Sequence, residues 1–352
     1  MSDAIALGGA TAPPQQRRRS ALRAGASLLR AREASIAVAV LVVFGVTSLY
    51  NPSFADANSI QQLLSGASVI ALLGVGETLV IITRNVDLSV GSVLGIAAYT
   101  VGDIFLHNPS FPVPLSFLVA IGVGLACGVV NGLIITIARV PSLVVTLGTL
   151  YAIRGIDAII VGGNQVNSYS IPNSFIAVGS GTFLGVPWMA WIAAGVVLVV
   201  GYVLRNFRSS RDLYAIGSNP EAAALAGVPI GKRVFVAFVV SGAIAGLAGA
   251  LWLAEFATVS STAGTGYELI TVAACVVGGV AIFGGSGTVL GAALGALLLN
   301  TINQALVAAR IAAFWNQAIA GALLLAAITF DRAVMLRRER TLRIKRAARA
   351  AA

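Results

Sequence analysis

Charge is scarce in this sequence: Asp, Glu, Lys and Arg together make up 10% of 352 residues, where about 25% is usual for a soluble globular chain. So few charges cannot clothe a water-facing surface, which excludes a soluble enzyme or a soluble binding module. Histidine occurs once, at His107, and cysteine twice, at Cys127 and Cys275. The two cysteines lie in apolar stretches with no metal-type neighbours, so they read as small buried hydrophobes and imply no disulfide framework. His/Cys/Asp/Glu clusters with metal-ligand spacing are missing as well, so neither a metal nor a cofactor is expected. What fills the chain instead is apolar: 58% hydrophobic residues and a mean hydropathy of +0.92. The fold class that follows is an all-α, polytopic membrane protein.

Crossing about 30 Å of hydrocarbon takes about 20 helical residues. Ten apolar runs qualify, at 34–50, 66–83, 88–107, 115–138, 141–161, 187–204, 234–255, 269–282, 288–309 and 314–330. The eighth is short and is broken by Gly278 and Gly279, so a half-helix or re-entrant segment stays open there. The remaining organisation is a basic tail over 1–33, a membrane domain over 34–330 with one long internal loop at 205–233, and a second basic tail over 331–352.

Positive residues orient the bundle, because cytoplasmic flanks collect Lys and Arg. With the N-terminus inside, 21 of the 23 basic residues fall on inner segments, Arg310 is the one external exception, and Arg154 lies within the fifth span. Both termini are therefore expected in the cytoplasm; eight crossings would satisfy the same parity. The net charge of +10 sits in tails and one loop, which suits anionic lipid headgroups or a protein partner and not nucleic acid. The basic tract before the first run lacks a small-residue cleavage site, so that run reads as an uncleaved helix.

Glycine is abundant at 39 residues, and its spacing is orderly: Gly124, Gly128 and Gly132 recur every fourth position, as do Gly287, Gly291 and Gly295. In lipid such stripes let helix backbones approach closely, so the helices are expected to form one tight body.

Catalytic and nucleotide motifs fail. The nearest approach to a phosphate-cradling loop, 226–233, ends in Gly231-Lys232-Arg233 and lacks both the first glycine and the final hydroxyl. Gly284-Gly285-Ser286-Gly287 has the look of an intramembrane protease serine, yet the single histidine, in an outer loop, supplies no base. Ionisable residues at membrane depth are Glu77, Asp103, Arg154 and Asp157; the last two stand three apart on one helical face and are expected to neutralise each other. Unpaired carboxylates such as Glu77 and Asp103 are what an ion-coupled carrier would use, which keeps that class open.

The 205–233 loop is distinctive. Asn219 can cap a helix whose first turn holds Pro220 and Glu221; Ala222 and Ala223 continue it, and Gly227 ends it with Pro229 beyond. A two-turn helix outside the bilayer is expected, either a connector or an element that docks into a partner.

Four blocks then resemble the permease subunits of bacterial ATP-binding-cassette importers of the sugar type, serving ribose, xylose, arabinose, rhamnose and autoinducer-2. They are Gly76-Glu77-Thr78 through Arg84-Asn85-Val86-Asp87-Leu88-Ser89-Val90-Gly91-Ser92; Asn131-Gly132-Leu133 with Thr146-Leu147-Gly148-Thr149 and Arg154-Gly155; Arg211 through Tyr214, Gly217-Ser218-Asn219 and Gly227-Val228; and Glu268 with Gly278-Gly279, Gly284-Gly285-Ser286-Gly287-Thr288 and Gly291. They run in order over roughly residues 60–300.

The resemblance implies about ten helices, a second permease copy or a homologous permease, cassette ATPase subunits beneath and an extracytoplasmic solute-binding protein above. It places the chain in the cell membrane as a transport subunit without its own ATPase site. It also makes the 205–233 helix the ATPase coupling element, with Arg211, Gly217, Asn219, Pro220, Glu221, Ala222, Ala223 and Gly227 as its residues. Asp87, Ser89 and Gly91 fall in the family's signature turn, where Asp87 is placed to cap the third span. Depth and family position make Asn131, Thr146, Glu268, Asn300 and Asn303 candidates for the solute pathway. Many members carry Gly-Gly-Ile before the Asp-Leu-Ser of the first block; here Arg84-Asn85-Val86 stands there, and with Phe314-Trp315 and Asp331 this is more similar to the rhamnose and autoinducer-2 branches. An ion-coupled secondary transporter, a scaffold without transport and a branched-chain amino acid permease remain as alternatives.

Overall fold

The computed structural model describes residues 33–311 and scattered positions between 315 and 329. Both basic tails, Glu33 apart, and most of the expected tenth span lie outside the described residues. Within them, eight helices are long and apolar enough to cross a membrane. They are α1 (Glu33–Tyr50), α2 (Ala57–Ile82), α3 (Val90–His107), α4 (Val113–Ile137), α5 (Ser142–Val161), α7 (Trp188–Asn206), α10 (Ile230–Phe256) and α12 (Val289–Ala308). The shorter helices are α6 (Asn173–Ser180), α8 (Arg208–Ser218), α9 (Pro220–Leu225) and α11 (Tyr267–Val277), and a small antiparallel hairpin pairs β1 (Thr182–Phe183) with β2 (Val186–Pro187). All nine runs expected within the described residues thus appear as helices, and the chain is a multi-pass membrane protein.

The eighth run is the half-helix. α11 has 11 residues, about 16 Å at 1.5 Å per residue, which is half of what a crossing needs. Its N-cap, Gly266, follows an irregular segment that runs back along α3, with Val259 against Gly102, Ala263 against Gly95 and Gly264 against Gly91. Irregular backbone at this depth survives because protein buries it and supplies partners. Val259 bonds Val166 in both directions at 3.0 Å, and the Ala263 carbonyl accepts from Arg154 Nη1. Arg154 therefore gives its hydrogen bond to this segment and not to Asp157, whose two carboxyl oxygens are buried without a hydrogen-bond partner. The expected pair is thus electrostatic and not hydrogen-bonded: residues three apart share a face, and the charge of Arg154 acts on Asp157, but the guanidinium gives its hydrogen bond to a carbonyl on another segment.

Burial separates centre from rim. In α2, 94% of the most apolar window is buried inside the protein, against 11% in α1 and 17% in α7. α2, α3 and α10 are therefore the axis of the bundle, while α1, α4, α5 and α7 present Leu118, Ile159, Leu198 and similar side chains outward as a lipid-facing surface. The glycine stripes do the work expected of them. A side chain at Gly124 would strike the Gly242 carbonyl and one at Gly128 the Phe238 carbonyl, so α4 and α10 meet backbone to backbone. Gly291 and Gly295 admit Gly278 and Ala274 of the α11 region in the same way.

Candidate functional site

One end of the bundle gathers the α2 C-terminus, the α4–α5 connection, α8, α9, the start of α10 and the glycine-rich link before α12. It holds Arg84, Arg139, Arg208, Arg211, Lys232 and Arg233 and is called the basic end here. Helix α8 is its centre. The sequence reading anticipated a two-turn helix from Asn219 but not the 11-residue helix before it.

Arg84 fastens α8 to α2. Its backbone turns left-handed, φ +67°, and its N–H bonds the Ile81 carbonyl at 2.9 Å, so α2 stops there. The guanidinium donates from Nε to the Gly217 carbonyl and from Nη2 to that of Ser218 at 2.9 Å. These are last-turn acceptors that lack partners inside α8, and a cation there also complements the helix dipole. Gly217 is buried so closely that a Cβ would strike the Ile82 carbonyl and the Gly285 backbone. The Gly285 N–H in turn donates to Ile82 O at 2.9 Å, and Tyr214 Oη donates to Gly287 O at 2.9 Å. Asp212 Oδ2 receives Arg233 Nη2 at 2.8 Å, tying α8 to α10. Three of the four sequence blocks, 84–91, 211–227 and 284–287, thus meet at α8.

α9 leaves this anchored helix as an exposed stub. Asn219 caps it, accepting from the Ala222 N–H at 3.1 Å, and Gly227 closes it at φ +75° while Val228 N–H returns to Ala223 O at 3.0 Å. Ala223 packs inward, whereas Glu221, Ala222 and Gly227 face solvent and Leu225 is 91% exposed. Arg211 is exposed on α8. Beside the stub runs a groove of about 690 Å³ lined by Arg84, Thr136, Arg139, Ser142, Ile216 and Pro220.

Behind Arg84 the chain turns back into the bundle. Asp87 Oδ1 accepts from Ser89 N–H at 3.0 Å and from Ser89 Oγ at 2.6 Å, and Ser89 Oγ accepts from Asn131 Nδ2 at 2.8 Å. The Asp87 N–H donates to Glu77 Oε1 at 3.0 Å. Asp87 therefore builds the turn through Ser89, which is itself the α3 N-cap, and does not cap the first-turn N–H groups. Thr146 Oγ1 reaches Val86 O at 3.2 Å and Ser142 O at 2.9 Å. Asn131 and Thr146, both buried, thus hold the 86–89 turn to α4 and α5.

The other pathway candidates lie elsewhere. Glu268, in the first turn of α11, accepts from Gly266 N–H through Oε1 at 3.2 Å; its Oε2 is buried without a partner, against Gly91. Asn300 donates to Leu63 O at 2.8 Å and shares with Asn303, Ile70 and Ile270 a small cavity between α2, α11 and α12. Asn131 and Thr146 serve one locus; Asn300 and Asn303 serve another.

Against known families, residues 59–328 match the model described as branched-chain amino acid transport system / permease component. The chain belongs to this permease family. Its relatives include autoinducer 2 import system permease proteins LsrC. The one from Enterobacter sp. (strain 638) is 36% identical over 323 residues, covering 91% of this chain and 93% of the relative. That from Klebsiella pneumoniae is 35% identical with the same coverage, and that from Photorhabdus luminescens is 34% identical over 300 residues, 85% and 89% of the two chains. The permease is accordingly a membrane transport component of the sugar-type cassette importers, resident in the cell membrane.

Proposed function

We propose that the permease is the solute-conducting subunit of an ATP-driven importer that takes up autoinducer-2 or a similar sugar-like solute. ATP is hydrolysed by separate cassette ATPase subunits that seat on α9, and a solute-binding protein delivers from the opposite face. In this reading the basic end and both termini are cytoplasmic, and a second permease, identical or homologous, completes the pathway. Asn300, Asn303 and Glu268 then face that pathway from α11 and α12, while Asn131 and Thr146 brace the turn that moves with α8.

The observation that carries the reading is the clamp on α8. An exposed stub with a 91% exposed leucine is attached through a helix whose end is bonded by Arg84 and Gly217 directly to α2, the most buried helix of the bundle. A push on Leu225 is thereby delivered to the axis. The solute assignment draws on the relatives' names, and the outer loops 51–65, 108–114, 162–186 and 256–268, which hold no Lys or Arg, suit an uncharged solute.

The test is uptake by cells carrying the full system, with autoinducer-2, ribose, rhamnose and leucine offered singly. Accumulation of autoinducer-2 or a sugar that ceases when the ATPase Walker lysine is replaced supports the proposal. Uptake of leucine alone would move the solute to the amino acid class, and uptake that follows a proton or sodium gradient without ATPase would end the importer reading.

A further inference from the structure

We propose that the end opposite α8 carries a site for a neutral, hydroxyl-rich solute, set between the start of α2, the hairpin and the last turn of α10. The inference rests on the importer reading and adds where the incoming solute first engages the permease. A cavity of about 310 Å³ opens there, lined by Asn58, Gln61, Gln62, Ser65, Ser180 and Glu255 among others. That volume is within the range of small-molecule sites. Carboxamides and hydroxyls offer donors and acceptors together, and a carboxylate is the strongest acceptor for a pair of neighbouring hydroxyls.

Glu255 gives the cavity its specific need. Its Oε2 is buried and has no hydrogen-bond partner in the protein, a state that is unfavourable until a donor reaches it. The Tyr267 hydroxyl, outside the lining, has the Glu255 carboxyl and the Trp252 side chain as neighbours. The lining includes no Lys, Arg or His, so a phosphorylated solute finds no counter-charge and meets Glu255 instead.

The rim is built to yield. Gln61 Nε2 reaches Gly185 O across 3.4 Å in an exposed bond, while Phe183 and Trp188 stack at 5.3 Å beside it. The hairpin therefore holds its own shape, packs on α2 through its second strand and adds to that packing only this long side-chain hydrogen bond.

The test titrates the full-length permease in nanodiscs with autoinducer-2, D-ribose and L-rhamnose, following tryptophan fluorescence, with ribose 5-phosphate as the charged control. At least one neutral probe is expected to saturate, with affinity at least tenfold weaker in Glu255→Gln and in Gln62→Ala, the second being an exposed position that spares the fold. Saturation by none of the three neutral probes, unchanged affinity in both variants, or equal binding of ribose 5-phosphate would each overturn the site. ATP-driven uptake is measured alongside: binding that persists while uptake ignores ATP leaves the site standing and removes the importer reading, whereas ATP-driven uptake without binding removes the site alone.

Discussion

At the basic end, Arg84, Tyr214, Gly217 and Gly285 tie α2, α8 and the link before α12 into one piece through bonds of up to 2.9 Å, whereas at the opposite end the hairpin meets α2 across an exposed 3.4 Å bond. The two ends are made of similar material, glycine-rich turns and short helices, yet one is tied by several short hydrogen bonds and the other by one long exposed bond. Stiffness belongs where force must pass without loss, since a slack joint between α9 and α2 would absorb an ATPase stroke. Compliance belongs where a solute must enter. The difference also explains why charged hydrogen bonds, stronger than neutral ones, are placed at α8 and are not found at the hairpin.

Changing residues at each end should break this contrast in a graded way. The largest effect is expected from Gly217→Val. Its side chain has no space against Ile82 and Gly285, so α8 must leave its seat at a cost of about 3 kcal/mol; uptake should fall to background and cysteine cross-links between α8 and the 284–287 link should vanish. Arg84→Ala comes next, removing two charge-assisted bonds worth about 2 kcal/mol or more together. ATP hydrolysis should then continue while uptake drops, an uncoupling seen by measuring both rates in one preparation.

Gly227→Val forces a β-branched residue to φ +75° at about 1–2 kcal/mol. Because nothing crowds that position, insertion and yield should be normal and only partner binding and uptake reduced, as a pull-down with the ATPase would register. Asn219→Ala loses the cap of α9, about 1 kcal/mol, and should weaken ATPase affinity severalfold. Gln61→Ala should be smallest, under about 0.5 kcal/mol in stability, with hydrogen exchange faster across the hairpin and unchanged at α8. Equal sensitivity of the two ends to such changes would erase the comparison.

Much of the bundle was legible in the residues because a membrane span declares itself by length and hydropathy. The break at Gly278 and Gly279 pointed to the half-helix, and Asn219, Pro220 and Gly227 marked α9 through capping chemistry that is local in sequence. The site was less legible where partners are distant. Arg84 looked like an inside-positive anchor, since nothing near it in the chain predicts that it bonds Gly217 and Ser218 more than 130 positions away. Arg154 illustrates the same limit from the other side, where its hydrogen bond goes to Ala263 on another segment and not to Asp157 on its own helix. α8 escaped notice because its polar face, rich in Arg and Ser, reads as loop until the elements it packs on are known. Glu255 likewise sits at the end of an apolar run, and only the cavity beside it distinguishes it from a solvated terminus.

The central claim is that this permease moves solute only when a nucleotide-hydrolysing partner acts on its basic end. Reconstitution into sealed vesicles tests it directly, comparing the permease alone with the permease plus its ATPase, ATP and solute-loaded binding protein. Accumulation against a gradient with the complete set, and mere absence of accumulation with the permease alone under imposed proton or sodium gradients, is the predicted result. Uphill accumulation by the permease alone would contradict it.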